Sequence, residues 1–181
     1  MMLFNVAGML QEAPGATREV ALRDRYLALG ADVELAGPVD GLIQLQRTNR
    51  GILVRGTVGA LLQRTCSRCL EPFVETVRIQ LAEEYLPTID PQHGVPLPPP
   101  AGDEAALPID DRHQIDLGPV LHDELALTEP MHPLCRPDCP GLCPGCGRRM
   151  DVGSCACEVV EADPRLAVLA RLLDPDGADR P

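Results

Sequence analysis

The sequence predicts an α+β fold, a small antiparallel sheet with covering helices and a C-terminal zinc-ribbon-like element. Three observations carry this reading. Apolar and polar residues alternate in runs between Val39 and Leu86, an apolar stripe at helical spacing follows Asp116, and eight cysteines fall into four close pairs. Alternation with a period of two places every second side chain on one face of a strand, whereas recurrence at three to four residues marks one face of a helix.

Residues 1–35 are weakly patterned, with a short apolar start at Leu3, Phe4 and Val6 and a helical or extended stretch expected around Tyr26–Leu29. The segment "GLIQLQRTNRGILVRGTVGALLQRT" then reads as two strands joined by a polar Asn-Arg-Gly turn. In the second of these strands Ile52, Val54, Val58, Ala60 and Leu62 share one face, and Arg55, Thr57 and Gln63 fall on the other. A further strand carries Phe73, Val77, Ile79 and Leu81 opposite Thr76, Arg78 and Gln80. The intervening "CSRCLEP" therefore connects two antiparallel strands.

Residues 87–108 hold seven prolines without periodicity and are expected to form a flexible loop between an N-terminal region, 1–86, and a C-terminal region, 109–181. After it a helix is expected, capped by Asp116, with Pro119 in its first turn and Leu117, Val120, Leu121 and Leu125 as its apolar stripe. It should end before Pro130. A last helix is expected over "DPRLAVLARLL", with Asp163 as cap, Pro164 at its first position and Leu166, Leu169 and Leu173 facing the core.

A chain of 181 residues, 45% hydrophobic, can bury a substantial core, but with no Trp, two Tyr and two Phe that core must be aliphatic. Stacking platforms for bases are scarce for the same reason. The formal charge of -11 argues against coating nucleic acid by simple electrostatics. All 16 basic residues are arginine, which a GC-rich coding bias explains without any function. Even so, residues 47–78 hold six arginines against two glutamates, so Arg47, Arg50, Arg55, Arg64, Arg68 and Arg78 form a candidate RNA-binding set. Neutralising thiolates is the competing role for those near cysteines, as for Arg136, Arg148 and Arg149. No signal peptide or membrane-spanning run is evident, so a cytoplasmic location without membrane association is expected.

In a reducing cytosol, eight cysteines are expected to bind metal rather than pair as disulfides. They stand at Cys66, Cys69, Cys135, Cys139, Cys143, Cys146, Cys155 and Cys157. Two thiolates from one tight turn and two from another complete a tetrahedral site. "CPGCG" with the later "CAC" joins Cys143, Cys146, Cys155 and Cys157; this leaves Cys66, Cys69, Cys135 and Cys139 as a second set. The other grouping joins 135, 139, 143 and 146. The first uses every thiol in two closed sites, which predicts two structural Zn²⁺ ions per chain.

A redox role for CSRC is the rival, but a redox pair opens a helix after a strand, and here Pro72 and a strand follow. His93, His113, His122 and His132 offer no nucleophile-base arrangement, so no enzyme is expected; His122 should be solvated on its helix, and His132, beside the third pair, is only a minor candidate for a substitute ligand.

The order "RGTVGALLQRTCSRCLEPF", "EEYLP", a Pro-rich stretch, "IDLGPVLHDELALTEPMHPLC", "CPGLCPGCGRRM", "CAC" and "DPRLAVLARLL" resembles the YceD family, the large ribosomal RNA subunit accumulation proteins, from about Val33 to Leu173. "ELALTEP" departs from the family's shorter "LALP". The resemblance implies that distant members keep the CxRC pair and a following ligand pair but can lack the last four cysteines, which supports the first grouping. The resemblance implies a non-catalytic ribosome-biogenesis factor acting on precursor large-subunit RNA or an early assembly particle, with a ribosomal-protein partner as an alternative route. It supplies no RNA-contacting residues. A zinc-dependent protein-binding module and a redox or zinc sensor using CSRC remain the other readings.

Overall fold

The computed structural model describes residues 2–26, 30, 32–98, 106–153, 155–157, 165, 166 and 169. It divides into two compact units, Met1–Cys66 with Glu71–Cys135 and Ser67–Leu70 with Arg136–Pro181.

The first unit is dominated by sheet. Strands β1 (Leu3–Asn5), β2 (Thr17–Arg25), β3 (Val39–Arg47), β4 (Ile52–Thr65), β5 (Pro72–Pro87), β6 (Leu107–Ile109) and β7 (Gln114–Asp116) accompany two helices, α1 (Ala7–Leu10) and α2 (Gly118–Ala126). The larger sheet has the order β2-β3-β4-β5-β6, and β1 pairs with β7 in a small second sheet. The expected β3–β4 and β4–β5 hairpins are present, with Arg47 opposite Ile52 and Thr65 opposite Pro72. Strand β4 shows the alternation read from its sequence: Ile52, Val54, Val58, Ala60 and Leu62 are buried, while Arg55 and Thr57 are exposed. Opposite them on β5, Val77, Ile79, Leu81 and Tyr85 complete the buried face.

Several expectations are corrected. The sheet is mixed rather than antiparallel, because β6 runs parallel to β5 with Tyr85 opposite Leu107. Both ends of the Pro-rich segment thus lie in the sheet, and inside it Ile89 bridges to Pro96. A parallel return needs a long crossover, and the stretch after Pro87 provides it. Strand β2 lies where little pattern was legible, since an edge strand is held by backbone pairing with β3 and needs few apolar residues; among its described side chains Leu22 alone is fully buried, with Val20 packed against the core. Of the expected stretch around Tyr26–Leu29, Tyr26 is exposed and the rest lies outside the described residues. Finally, the covering helices amount to one short helix and one of four residues among the described residues.

Helix α2 forms where expected, with Val120, Leu121 and Leu125 buried, but its N-cap is Leu117 rather than Asp116, which lies one residue earlier. Asp116 Oδ1 accepts from the Gly118 N–H at 2.9 Å and from the Met2 N–H at 2.8 Å, so one carboxylate satisfies an orphan helix donor and anchors the N-terminal strand. The buried Tyr85 hydroxyl donates to the Asp116 carbonyl at 3.1 Å. The last expected helix lies mostly outside the described residues; Leu166 and Leu169 are each more than half exposed rather than facing the core.

His122 on α2 is not simply solvated. Its Nδ1 meets Asp123 Oδ1 at 2.9 Å and its Nε2 meets Asp32 Oδ2 at 3.0 Å. The hydrogen bonds to Asp123 and then Asp32 favour the imidazolium, which raises its pKa above the ordinary 6.5. Because the folded value is the higher one, the contact stabilises the fold fully below pH 6.5 and is lost as pH rises through the raised value. An NMR titration should find His122 above its ordinary value, and Asp123→Asn should bring it down; an unmoved midpoint would refute the contact.

Candidate metal centre

The two CxxC turns share one backbone design. The Cys66 N–H donates to the Glu71 carbonyl at 2.9 Å, and the Cys143 N–H donates to the Arg148 carbonyl at 2.8 Å, five residues on in each case. The residue after the second cysteine is left-handed in both, Leu70 at φ 60° and Gly147 at φ 67°. Such a turn curls the chain so that both thiols point inward, at the cost of holding a non-glycine residue at Leu70 in a disfavoured region. No helix begins at either pair among the described residues, so the helix dipole that activates a redox dithiol is missing here.

The structure groups the eight thiols in the first of the two ways the sequence allowed. The sulfurs of Cys66, Cys69, Cys135 and Cys139 all lie within 4.8 Å of one another, as do those of Cys143, Cys146, Cys155 and Cys157. A tetrahedral ion with Zn–S bonds of about 2.3 Å needs S···S separations of about 3.8 Å, so both sets fit such an ion with small adjustments. Each set is all-sulfur, which suits zinc or iron and not a hard cation. His132 is exposed and belongs to neither set among the described residues.

In the second tetrad, the bridge between Leu142 and Arg149 and the bond from the Gly147 N–H to the Cys143 carbonyl at 2.8 Å tighten the turn around Cys143. The Cys146 N–H, the Cys155 thiol and the Gly145 N–H point at the Cys143 sulfur and lower its pKa to about 6. Cys157, in contact with Cys146 and Cys143, is pushed up to about 12. N–H donors aimed at a sulfur stabilise a thiolate, which is the form that binds metal. Gly145 packs closely here: a Cβ at that position would stand 3.3 Å from the Cys157 Cβ, a tight contact that asks the neighbour to give by a few tenths of an ångström.

The six candidate arginines do not form one basic face. Arg47 donates to the carbonyls of Thr48 and Gly51 and so closes the β3–β4 turn. Arg50 pairs with Glu84 at 2.6 Å. Arg64 is buried against Glu75, Glu129 and Thr128. Arg68 donates to the Cys139 carbonyl at 2.9 Å, which makes it a brace for that turn. Arg55 and Arg78 stand exposed on the outer face of the sheet, where Arg78 lines a groove of about 450 Å³ with Asp40, Thr57, Gly59, Leu61 and Thr76. Residues along a strand alternate between faces, which puts Arg55 on the outer face of β4 and Arg64 on the inner one. Two residues escaped the sequence reading altogether: Glu75 and Glu129, whose importance depends on their meeting Arg64.

The family of large ribosomal RNA subunit accumulation proteins YceD matches residues 54–173, about two thirds of the chain. The chain belongs to the YceD family. Among curated relatives of this YceD chain, an uncharacterized protein of Mycobacterium tuberculosis (strain ATCC 25618 / H37Rv) is 34% identical over 139 residues, 74% of this chain and 61% of that protein. An uncharacterized protein of Mycobacterium leprae (strain TN) is 28% identical over 151 residues, 80% of this chain and 63% of that protein. The chain thus spans about three fifths of the length of these relatives. No solved structure matches it. YceD membership points to a ribosome-related role, and the two cysteine tetrads are suited to metal. No helix among the described residues is long and apolar enough to cross a membrane.

Proposed function

We propose that this YceD chain is a non-catalytic cytoplasmic factor for accumulation of large-subunit ribosomal RNA, with two structural zinc ions shaping its binding surface. The observation that carries the zinc part is the pair of all-cysteine tetrads: four thiolates fill every position around a tetrahedral ion and leave none for water or substrate. Zinc would supply folding free energy at these sites and no reaction step. Arg68 braces the Cys139 turn, and the Cys146 and Gly145 N–H groups support the Cys143 thiolate.

For the contact surface, support is narrower than the sequence suggested. Arg55 and Arg78 are the arginines of the original set that the sheet presents to solvent without a structural task among those described. Ultraviolet crosslinking of the tagged protein in its own cells, followed by sequencing of the recovered RNA, is the direct test. Enrichment of precursor large-subunit RNA is expected. Joint Arg55→Ala and Arg78→Ala substitution should lower affinity and reduce the salt dependence of binding by about two phosphate contacts, without unfolding the sheet. Unchanged affinity would remove RNA contact from this face.

One observation favours a protein partner as the second reading. Glu19 and Asp40 share the outer face with Arg55 and Arg78, and no aromatic ring lies among the residues lining the groove. Absence of crosslinked precursor RNA, with retention on assembly particles, would select it.

A further inference from the structure

Arg64 is the one charged residue buried among the described residues, with 4% of its side chain exposed. Its guanidinium reaches three places. Nη2 donates a hydrogen bond to Thr128 Oγ1 at 3.0 Å. Nε lies 2.6 Å from Glu75 Oε2 on β5 and Nη1 3.4 Å from Glu129 Oε2 as ion pairs, the Nε contact without hydrogen-bond geometry. Thr128 in turn donates through its hydroxyl to the Leu125 carbonyl at 2.6 Å, at the end of α2. One guanidinium therefore joins the end of strand β4, its partner β5 and the chain leaving α2.

Those are the chain segments that deliver cysteines. Cys66 follows Arg64 by two residues, and Cys135 follows Glu129 by six. The loop from 129 to 135 contains no helix or strand of its own, so its starting point is set by what holds Thr128 and Glu129. A guanidinium suits this task because its donors lie in a rigid plane and address several acceptors at fixed angles.

Stability alone is a poor explanation for the placement. Desolvating a charge is costly, and apolar replacements of buried ion pairs often leave the fold as stable or more so. The carboxylates of Glu75 and Glu129 are 41% and 55% exposed, so they stay hydrated if Arg64 is removed. What an apolar side chain cannot reproduce is the directed grip on residues 128 and 129.

We propose that Arg64 is a positioning residue for the first cysteine tetrad: by holding Glu75, Thr128 and Glu129 it presets the chain segments that bring Cys66 and Cys135 to the metal. The inference rests on the reading that Cys66, Cys69, Cys135 and Cys139 bind metal. Its consequence is selective. Metal affinity of the first tetrad depends on Arg64, and that of the second does not.

The test is competition for Zn²⁺ between the full-length chain and a chromophoric chelator. A Cys155→Ser, Cys157→Ser background isolates the first tetrad, and a Cys66→Ser, Cys69→Ser background isolates the second. In the first, Arg64→Met is expected to weaken zinc binding by about 10- to 100-fold, the range for lost support around a metal ligand. Arg64→Lys, with a single ammonium in place of the fork, should fall between Arg64→Met and the native residue. In the second background neither change should alter affinity. Native first-tetrad affinity in folded Arg64→Met overturns the proposal, as does equal weakening of both tetrads, which is the signature of a merely structural residue. If Arg64→Met fails to fold, Glu129→Gln decides: it loosens one arm from an exposed position, and a selective loss supports the proposal while unchanged affinity overturns it. No zinc binding by the native first tetrad would instead overturn the metal reading itself.

Discussion

Stripping zinc with a chelator is expected to abolish hydrogen-exchange protection at the Cys143, Gly147 and Met150 amides while the β3–β4 ladder keeps its own. These three amides bond to the Arg148, Cys143 and Gly141 carbonyls at 2.8, 2.8 and 3.1 Å. The reason lies in what each unit has to bury. Every member of the hydrophobic core cluster, from Met2 to Leu125, belongs to the first unit. In the second unit the buried hydrophobic side chains among the described residues are Cys69, Cys139 and Cys143, all candidate ligands. Met150 and Val152 are exposed there. A unit without an aliphatic core must draw its stability from elsewhere, and structural zinc contributes an apparent ~10–16 kcal/mol at neutral pH. That exceeds or matches the whole stability of an ordinary domain. Retained protection at these amides after metal analysis shows complete removal would mean that zinc does not hold this unit.

Replacing Gly51 with alanine should destabilise the first unit by about 1–3 kcal/mol, the cost of forcing extra volume into a packed site. A Cβ at Gly51 would lie 1.9 Å from the Tyr85 carbonyl oxygen and 3.0 Å from its carbon. Neither atom can retreat, because Tyr85 sits in the ladder opposite Ile52 and its side chain is among the largest fully buried ones. Relief would require the β3–β4 turn to lift away, breaking the bonds that Thr48 and Arg47 make to the Gly51 carbonyl. Gly8→Ala is the control: nothing lies within 4 Å of the added atom, and in a helix alanine is favoured over glycine by roughly 0.5–1 kcal/mol. Chemical denaturation of the two variants would separate these effects, and equal midpoints would refute the steric argument.

The candidate site was legible in parts. CSRC at a hairpin tip followed from the alternation on either side of it, since Thr65 and Pro72 do pair across that loop. The thiol spacing was equally visible, because two ligands from one tight turn need only a few contiguous residues. The surroundings of the arginines were not legible. Arg64 and Arg68 are four residues apart, yet one is buried in an ion cluster and the other braces a cysteine turn.

The sequence by itself determined the strands β3, β4 and β5 with their buried faces, the α2 stripe, the membership implied by its motifs and the residue type of the ligands. These depend on periodicity or spacing within a short window. Only the tertiary structure decided which cysteine pairs meet, that β6 adds in parallel beside β5, that β2 closes the other edge, and that Arg64 is bound by Glu75, Thr128 and Glu129. Each of these joins residues far apart in the chain, where the local pattern is compatible with several partners. Backbone pairing, burial and charge compensation then select one.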